Sequence, residues 1–294
     1  MILDHNGHAD RRPGHTATLP MKSLPRFTPH QLLHVLSKLI AGTGAEVDLE
    51  PSLTSYEEEP GAGGVWSRAS APPAVGINLN GVTIAVIGYD RPAFDTAEIA
   101  GLDAKYWPGA HGAIGRCRAH VEVAEVHARI SSDLDQNHDR ALALTLVSIA
   151  VARLVDVAGI VWHASLRCLP RAELLSLADD LATGTAPVNL WVGADRFGAG
   201  DRRSAGVVTR GLYQILGAEL EVGQDSFPSE VAFEIALDLA ERIITDGTLP
   251  EHASRLSFGL GREFVVRHMP RGHGNDAPVL ALVPDSRGLV AGAA

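Results

Sequence analysis

The stretch from Pro187 to Gly247 does most to limit the fold. It reads PVNLWVGADRF, then GVVTRGLYQILGAELEVG, then SEVAFEIALDLAERIITDG. Val188 to Val192 is a short apolar run carrying Trp191, and the pattern predicts a buried strand there. Gly206 to Val222 predicts one or two strands broken by Gly211 and Gly217, because glycine weakens a strand interior. Ser229 to Asp246 then repeats Val231, Ile235, Leu239 and Ile243 at helical spacing, with Phe233 and Leu237 beside them. Gly247 takes the C′ position that ends such a helix. Strands joined to an amphipathic helix describe a packed scaffold before they describe a reaction centre.

The same alternation runs upstream. Thr28 is an N-cap with Pro29 at the first helical position. Leu32, Leu33, Val35, Leu36, Leu39 and Ile40 then give one apolar stripe that ends at Gly42. Ile77 to Ile87 carries a hairpin signal, since Asn80-Gly81 supplies the two positive φ angles of a type I′ turn. Asp95 or Thr96 caps a short helix toward Leu102. Arg118 to Ala128 alternates as a strand, and Asn137 to Val157 is a helix apolar nearly all round, which places it between other elements. Gly159 to His163 reads as a strand, and Pro170 to Leu181 as a helix. Leu256 to His268 and Val279 to Val283 close the chain as strands. The predicted fold is α+β: mixed, largely antiparallel sheets packed against long helices, in two similar α/β halves.

The ends and the loops are polar. Residues 1–20, with His5, His8, His15 and Arg11-Arg12, predict a disordered tail, and Met21 offers a second translation start. The globular region then covers residues 21–284, and residues 285–294 form a small-residue tail. Glu46 to Pro73, with Glu57 to Glu59 among Gly, Pro and Ser, is in part a long loop. No apolar segment follows Arg11-Arg12, so the tail is no export signal. The longest apolar run, Ala141 to Ala152, is shorter than the roughly 20 residues a membrane helix needs.

The formal net charge is −10. An acidic surface repels nucleic-acid phosphates and anionic membranes, so neither is an expected partner. Arg202-Arg203 is only a pair of basic residues. Cys117 and Cys168 lie in no metal-type spacing. They read as reduced thiols of a cytoplasmic protein, with a disulfide or a nucleophilic cysteine as the other readings. No metal or other cofactor is expected.

Several local patterns resemble the bacterial domain-of-unknown-function family 4261. They are Arg91-Pro92-Ala93, Trp107, Ala119-His120-Val121-Glu122-Val123, the long apolar helix leading into Val161-Trp162, Asn189-Leu190-Trp191-Val192, Thr209-Arg210-Gly211-Leu212 and Gly217 to Val222. The resemblance covers about residues 75–270 and is most specific from Thr209 to Glu221. It implies a shared fold and no established activity.

Two sets of residues are candidates for chemistry or contact. His120 and Glu122 stand at i and i+2 on a strand and so share a face, and His163 ends the next strand. Together they are the candidate catalytic set of a metal-dependent or acid/base hydrolase. Glu125 and His127 form a second pair on the opposite face. Trp107, Trp162, Trp191, Thr209, Glu219 and Glu221 are candidates for ligand or partner contact. Glu219 and Glu221 share a strand face, read as exposed. GxGxxG, GxxxxGK[ST], GxSxG and HExxH are all absent. The favoured reading is therefore a non-enzymatic binding module that recognises another protein or a small ligand. An immunity-like or accessory role, with the acidic surface neutralising a basic partner, fits the charge.

Overall fold

The structure is a computed structural model that describes residues 14–24, 26–54, 73–126, 131, 133–198, 205–223, 228–258, 263–273 and 277–285. His5, His8, Arg11-Arg12, Glu57 to Glu59, His127, Arg202-Arg203 and residues 286–294 lie outside these. The architecture is α+β, with two mostly antiparallel sheets. The first has seven strands in the order β2 (Val47–Leu49), β3 (Ala74–Leu79), β4 (Val82–Tyr89), β5 (Ala119–Glu125), β1 (Thr16–Met21), β6 (Gly159–Trp162) and β7 (Arg167–Pro170). The second has six, in the order β11 (Arg255–Ser257), β12 (Glu263–Met269), β13 (Val279–Pro284), β10 (Glu219–Val222), β9 (Gly206–Arg210) and β8 (Gly193–Phe197).

Each sheet has a three-strand antiparallel meander that feeds a long helix. In the first, β3, β4 and β5 lead into α4 (Leu134–Leu154); in the second, β8, β9 and β10 lead into α8 (Ser229–Asp246). The halves then diverge: β10 pairs in parallel with β13, whereas β5 pairs antiparallel with β1. α4 is capped by Asp133 and packs on β1 and β5, against α1 (Pro29–Leu39), α5 (Arg171–Ala182) and α7 (Tyr213–Leu216). Its buried residues occur on nearly every side, as a helix enclosed by other elements requires. α8 is one-sided and covers β8, β9 and β10. One continuous apolar core includes residues of both sheets. Thr28 and Gln31 form a reciprocal capping box on α1. Asn80 and Gly81 have φ of 51° and 81°, the turn their sequence demands.

Two expectations are corrected. Residues 16–20 are not a tail. With Met21 they form β1, hydrogen-bonded between β5 and β6 near the middle of the larger sheet. Ala17, Leu19 and Met21 point into the core and are at most 2% exposed. The strand is only six residues long and contains Pro20, so its alternation is masked by the polar residues before it. Pro20 sits next to the strand end, and its carbonyl accepts from Ala158 N–H (2.8 Å). Val188–Trp191 is not a strand either but one helical turn, α6, with the Trp191 N–H bonded to Pro187 O. A run this short and mostly apolar, with only Asn189 exposed, fits either conformation.

The outer face of β6 and β7 carries a second, smaller apolar cluster. Val161 and Cys168 pack there under α2 (Thr96–Ala100) and α3 (Ala110–Gly115), with Phe94, Leu102 and Trp107. Among the described residues no helix is long and apolar enough to cross a membrane.

Candidate functional site

Strand alternation turns Val121 and Val123 inward and His120 and Glu122 outward. The register places Thr18 opposite Glu122 and Pro20 opposite His120 on one side of β5. Ile87 and Tyr89 of β4 lie opposite the same two residues on the other side. His163 follows β6, and its N–H donates to Thr16 O (3.0 Å). Its Nε2 lies 2.7 Å from Thr18 Oγ1. Three of the sequence candidates, His120, Glu122 and His163, thus belong to one outer sheet face, with Thr18 between two of them. Thr18, His120 and His163 are buried, and Thr16, Ile87, Tyr89 and Glu122 form a half-buried rim.

Both imidazoles are held in place. His120 Nδ1 bonds the Arg91 carbonyl (2.9 Å), and its ring stacks on Tyr89 at 4.8 Å. The Arg91 guanidinium lies 5.3 Å from the centre of the Tyr89 ring. Burial lowers the pKa of His120, the Arg91 carbonyl opposes that, and the Arg91 charge adds to it. Tyr89 is shifted upward by burial and by the Glu122 carboxylate. His163 has the Phe94 ring edge-on at 6.4 Å. The arrangement suits hydrogen bonding from a fixed polar floor. The Thr18–His163 pair also has the geometry of a hydroxyl beside a base. Among the described residues no group of three His, Cys, Asp or Glu side chains is placed to hold a metal ion.

Glu125, of the second predicted pair, faces the core. It accepts from Arg140 Nε and Nη2 and from His15 N (3.2 Å). Asn137 extends this buried network to Ser131 and to the Ile215 carbonyl. His15, read from sequence as tail, is buried there with both ring nitrogens lacking a hydrogen-bond partner. Burial first, and the Arg140 charge second, push its pKa down to about 3.

Of the contact candidates, all but Trp107 are buried. Trp162 and Trp191 meet in the core at 6.4 Å, and Trp191 Nε1 donates to Thr145 Oγ1. Trp107 is half-buried and packs on Gly159, where an added Cβ would come within 2.5 Å of the indole. Thr209 Oγ1 donates to Glu219, which also accepts from the N–H groups of Gly211, Leu212 and Tyr213. Burial raises Glu219 to about 7 while these four donors pull it back. Glu221 accepts from His273 N (2.6 Å) and pairs with His273 Nδ1 (2.7 Å). The expected exposed carboxylate face is therefore a correction: both side chains are sealed, one by a turn and one by a loop. Thr209, Glu219 and Glu221 thus bond groups within the smaller sheet and its loops.

Sequence reasoning passed over Thr18, because its strand was hidden in a polar terminus. It also passed over the basic and acidic residues between the sheets, Asp103, Lys105, Arg167, Asp195 and Arg210, which are far apart in the chain and match no spacing rule. Comparison with family models, with curated proteins and with solved structures finds no match to this chain.

Proposed function

We propose that the chain is a non-catalytic binding module whose recognition surface is the half-buried rim of Thr16, Ile87, Tyr89 and Glu122 on the outer face of the larger sheet, beside the part that α2 and α3 cover. The observation that carries this reading is the commitment of both histidines: His120 to the Arg91 carbonyl and His163 to Thr18. Side chains already fixed by internal bonds make a preorganised floor, which lowers the ordering cost of binding. The excess of acidic residues favours a basic protein as the partner, in an immunity-like or accessory role.

The test is a paired capture from the native host with wild-type and Glu122→Arg bait. The expected result is one stoichiometric basic partner that the variant loses while keeping its own fold. Recovery of the same partner by both baits rejects this surface.

A second reading, acid/base hydrolysis with His120, Glu122 and His163, is favoured by their shared face and by the 2.7 Å approach of His163 to Thr18. It requires a stoichiometric metal, or a hydrolysis rate abolished by His163→Gln. Elemental analysis of the purified chain and its His120→Ala variant, with an ester and phosphoester substrate panel, decides between the two.

A further inference from the structure

The seam between the two sheets carries a second charged cluster, away from the outer face described above. Arg167 leaves edge strand β7 and is completely buried. Its Nε lies 3.0 Å from Asp103 Oδ2, yet none of its three nitrogens has an aligned hydrogen-bond partner. The guanidinium carbon is 4.8 Å from the centre of the Tyr106 ring and 5.8 Å from that of Phe233 in α8. Lys105 Nζ lies 4.3 Å from the Phe233 ring centre and 5.4 Å from that of Tyr106. Arg210 Nε, also buried and unaligned, lies 2.9 Å from Asp195 Oδ2.

The cluster is built rigidly. Asp103 extends the sheet beyond β7: its N–H bonds Leu166 O (2.9 Å) and its carbonyl accepts from Cys168 N (3.3 Å). Across the seam, Gly193 of β8 comes so close that an added Cβ would sit 2.4 Å from Ser165 O and 3.6 Å from Arg167 Nε. Asp195 feels Arg210, Asp103 and Arg167 together, so the charges share one field. Three cations face two carboxylates here, an excess of positive charge in a chain of net charge −10. A desolvated guanidinium whose Nη groups have no aligned acceptor is costly even beside the Asp103 carboxylate, and an oxyanion supplies what it lacks. Two adjacent Nη groups match a two-oxygen acceptor, and Lys105 and Arg210 add charge.

We propose that this seam binds a small soluble oxyanion, a carboxylate or a phosphate group, between Arg167, Lys105 and Arg210. Tyr106, half-buried over the guanidinium, is the side chain that an entering anion has to displace.

The test is calorimetric titration of the full chain with sodium phosphate and, separately, sodium acetate, at ionic strength held constant with sodium chloride. Saturable one-to-one binding of either anion is expected, and which one binds identifies the class. Affinity should fall about tenfold in Lys105→Met and in Arg210→Gln, the loss of one charge-assisted contact. It should vanish in Arg167→Met and tighten in Asp103→Asn, which removes a competing carboxylate. Absence of saturable binding by both anions overturns the proposal. So does equal affinity in wild type, Lys105→Met and Arg210→Gln. The last two change partly exposed side chains, so they decide the question even if Arg167→Met does not fold.

Discussion

Two strands of nearly the same sequence meet opposite fates. Ala119-His120-Val121-Glu122-Val123 in β5 and Ala218-Glu219-Leu220-Glu221-Val222 around β10 both end a meander and both precede a long helix. In each, the valines and leucine face the core and the polar residues face outward. Yet Glu122 stays half-buried, whereas Glu219 and Glu221 are at most 3% exposed. Alternation fixes which face a residue takes. What lies over that face is decided by distant loops: the turn after β9 closes on Glu219, and His273 closes on Glu221. Over β5, the Arg91 carbonyl secures only His120.

The largest expected effect comes from the strand that only the larger sheet possesses. Deleting residues 1–20 removes β1, the strand that bridges β5 and β6, and so splits the larger sheet in two. We expect loss of the cooperative thermal transition, read by circular dichroism. Retention of a native transition would show that β1 is dispensable and that a chain started at Met21 still folds.

Next come the sealed carboxylates. Glu219→Ala leaves four donors without an acceptor, and each such loss costs on the order of 1–3 kcal/mol before relaxation. A total near 3 kcal/mol is expected from urea unfolding, against less than about 0.5 kcal/mol for Glu122→Ala on its half-open face. Equal costs would mean that the two faces are equally closed.

The pH response is smaller and has a definite sign. His15 is held near 3 in the folded state against an ordinary 6.5, so the unfolded chain takes up its proton first and stability drops as pH falls from 6.5. Glu219 is raised to about 7 from 4.5, so its contribution is complete below pH 4.5 and is lost as pH rises to 7. Between pH 4.5 and 6.5 the two slopes offset each other. His15→Phe removes one of them. Stability of that variant, relative to wild type, should fall with rising pH across this window by about 1.4 kcal/mol per unit. An unchanged pH slope would show that His15 is not held neutral. The smallest effect is expected from Trp107→Phe at the edge of the outer cluster, about 1 kcal/mol by the same unfolding assay.

Much of the scaffold could be read from residues. Asn80-Gly81, the Thr28 cap before Pro29, and Gly247 after Asp246 each have one physical solution, and the structure adopts it. The α+β class followed from the periods. What failed did so where local pattern and environment part company. Val188–Trp191 is only four residues long, with Val188, Leu190 and Trp191 buried and Asn189 exposed, too short for a period to distinguish turn from strand. Thr16–Met21 is short and flanked by polar residues, and its partners lie far along the chain. The candidate face was half legible: spacing put His120 and Glu122 together, while Thr18 could be added only through sheet register. The Arg167 cluster left no local trace, since its members come from several loops and strands.

The placement of β1 also governs when this half of the molecule can exist. Thr16 pairs with Ala124, and Ala17 with Trp162, so β1 waits for more than a hundred residues before both neighbours are synthesised. Such non-local pairing slows folding and prolongs the exposure of unpaired strand edges. The smaller sheet, drawn wholly from Gly193 to Pro284, carries no such delay. Ala17, Leu19 and Met21 are therefore the core residues that wait longest for their cover, which is complete only once Trp162 has emerged.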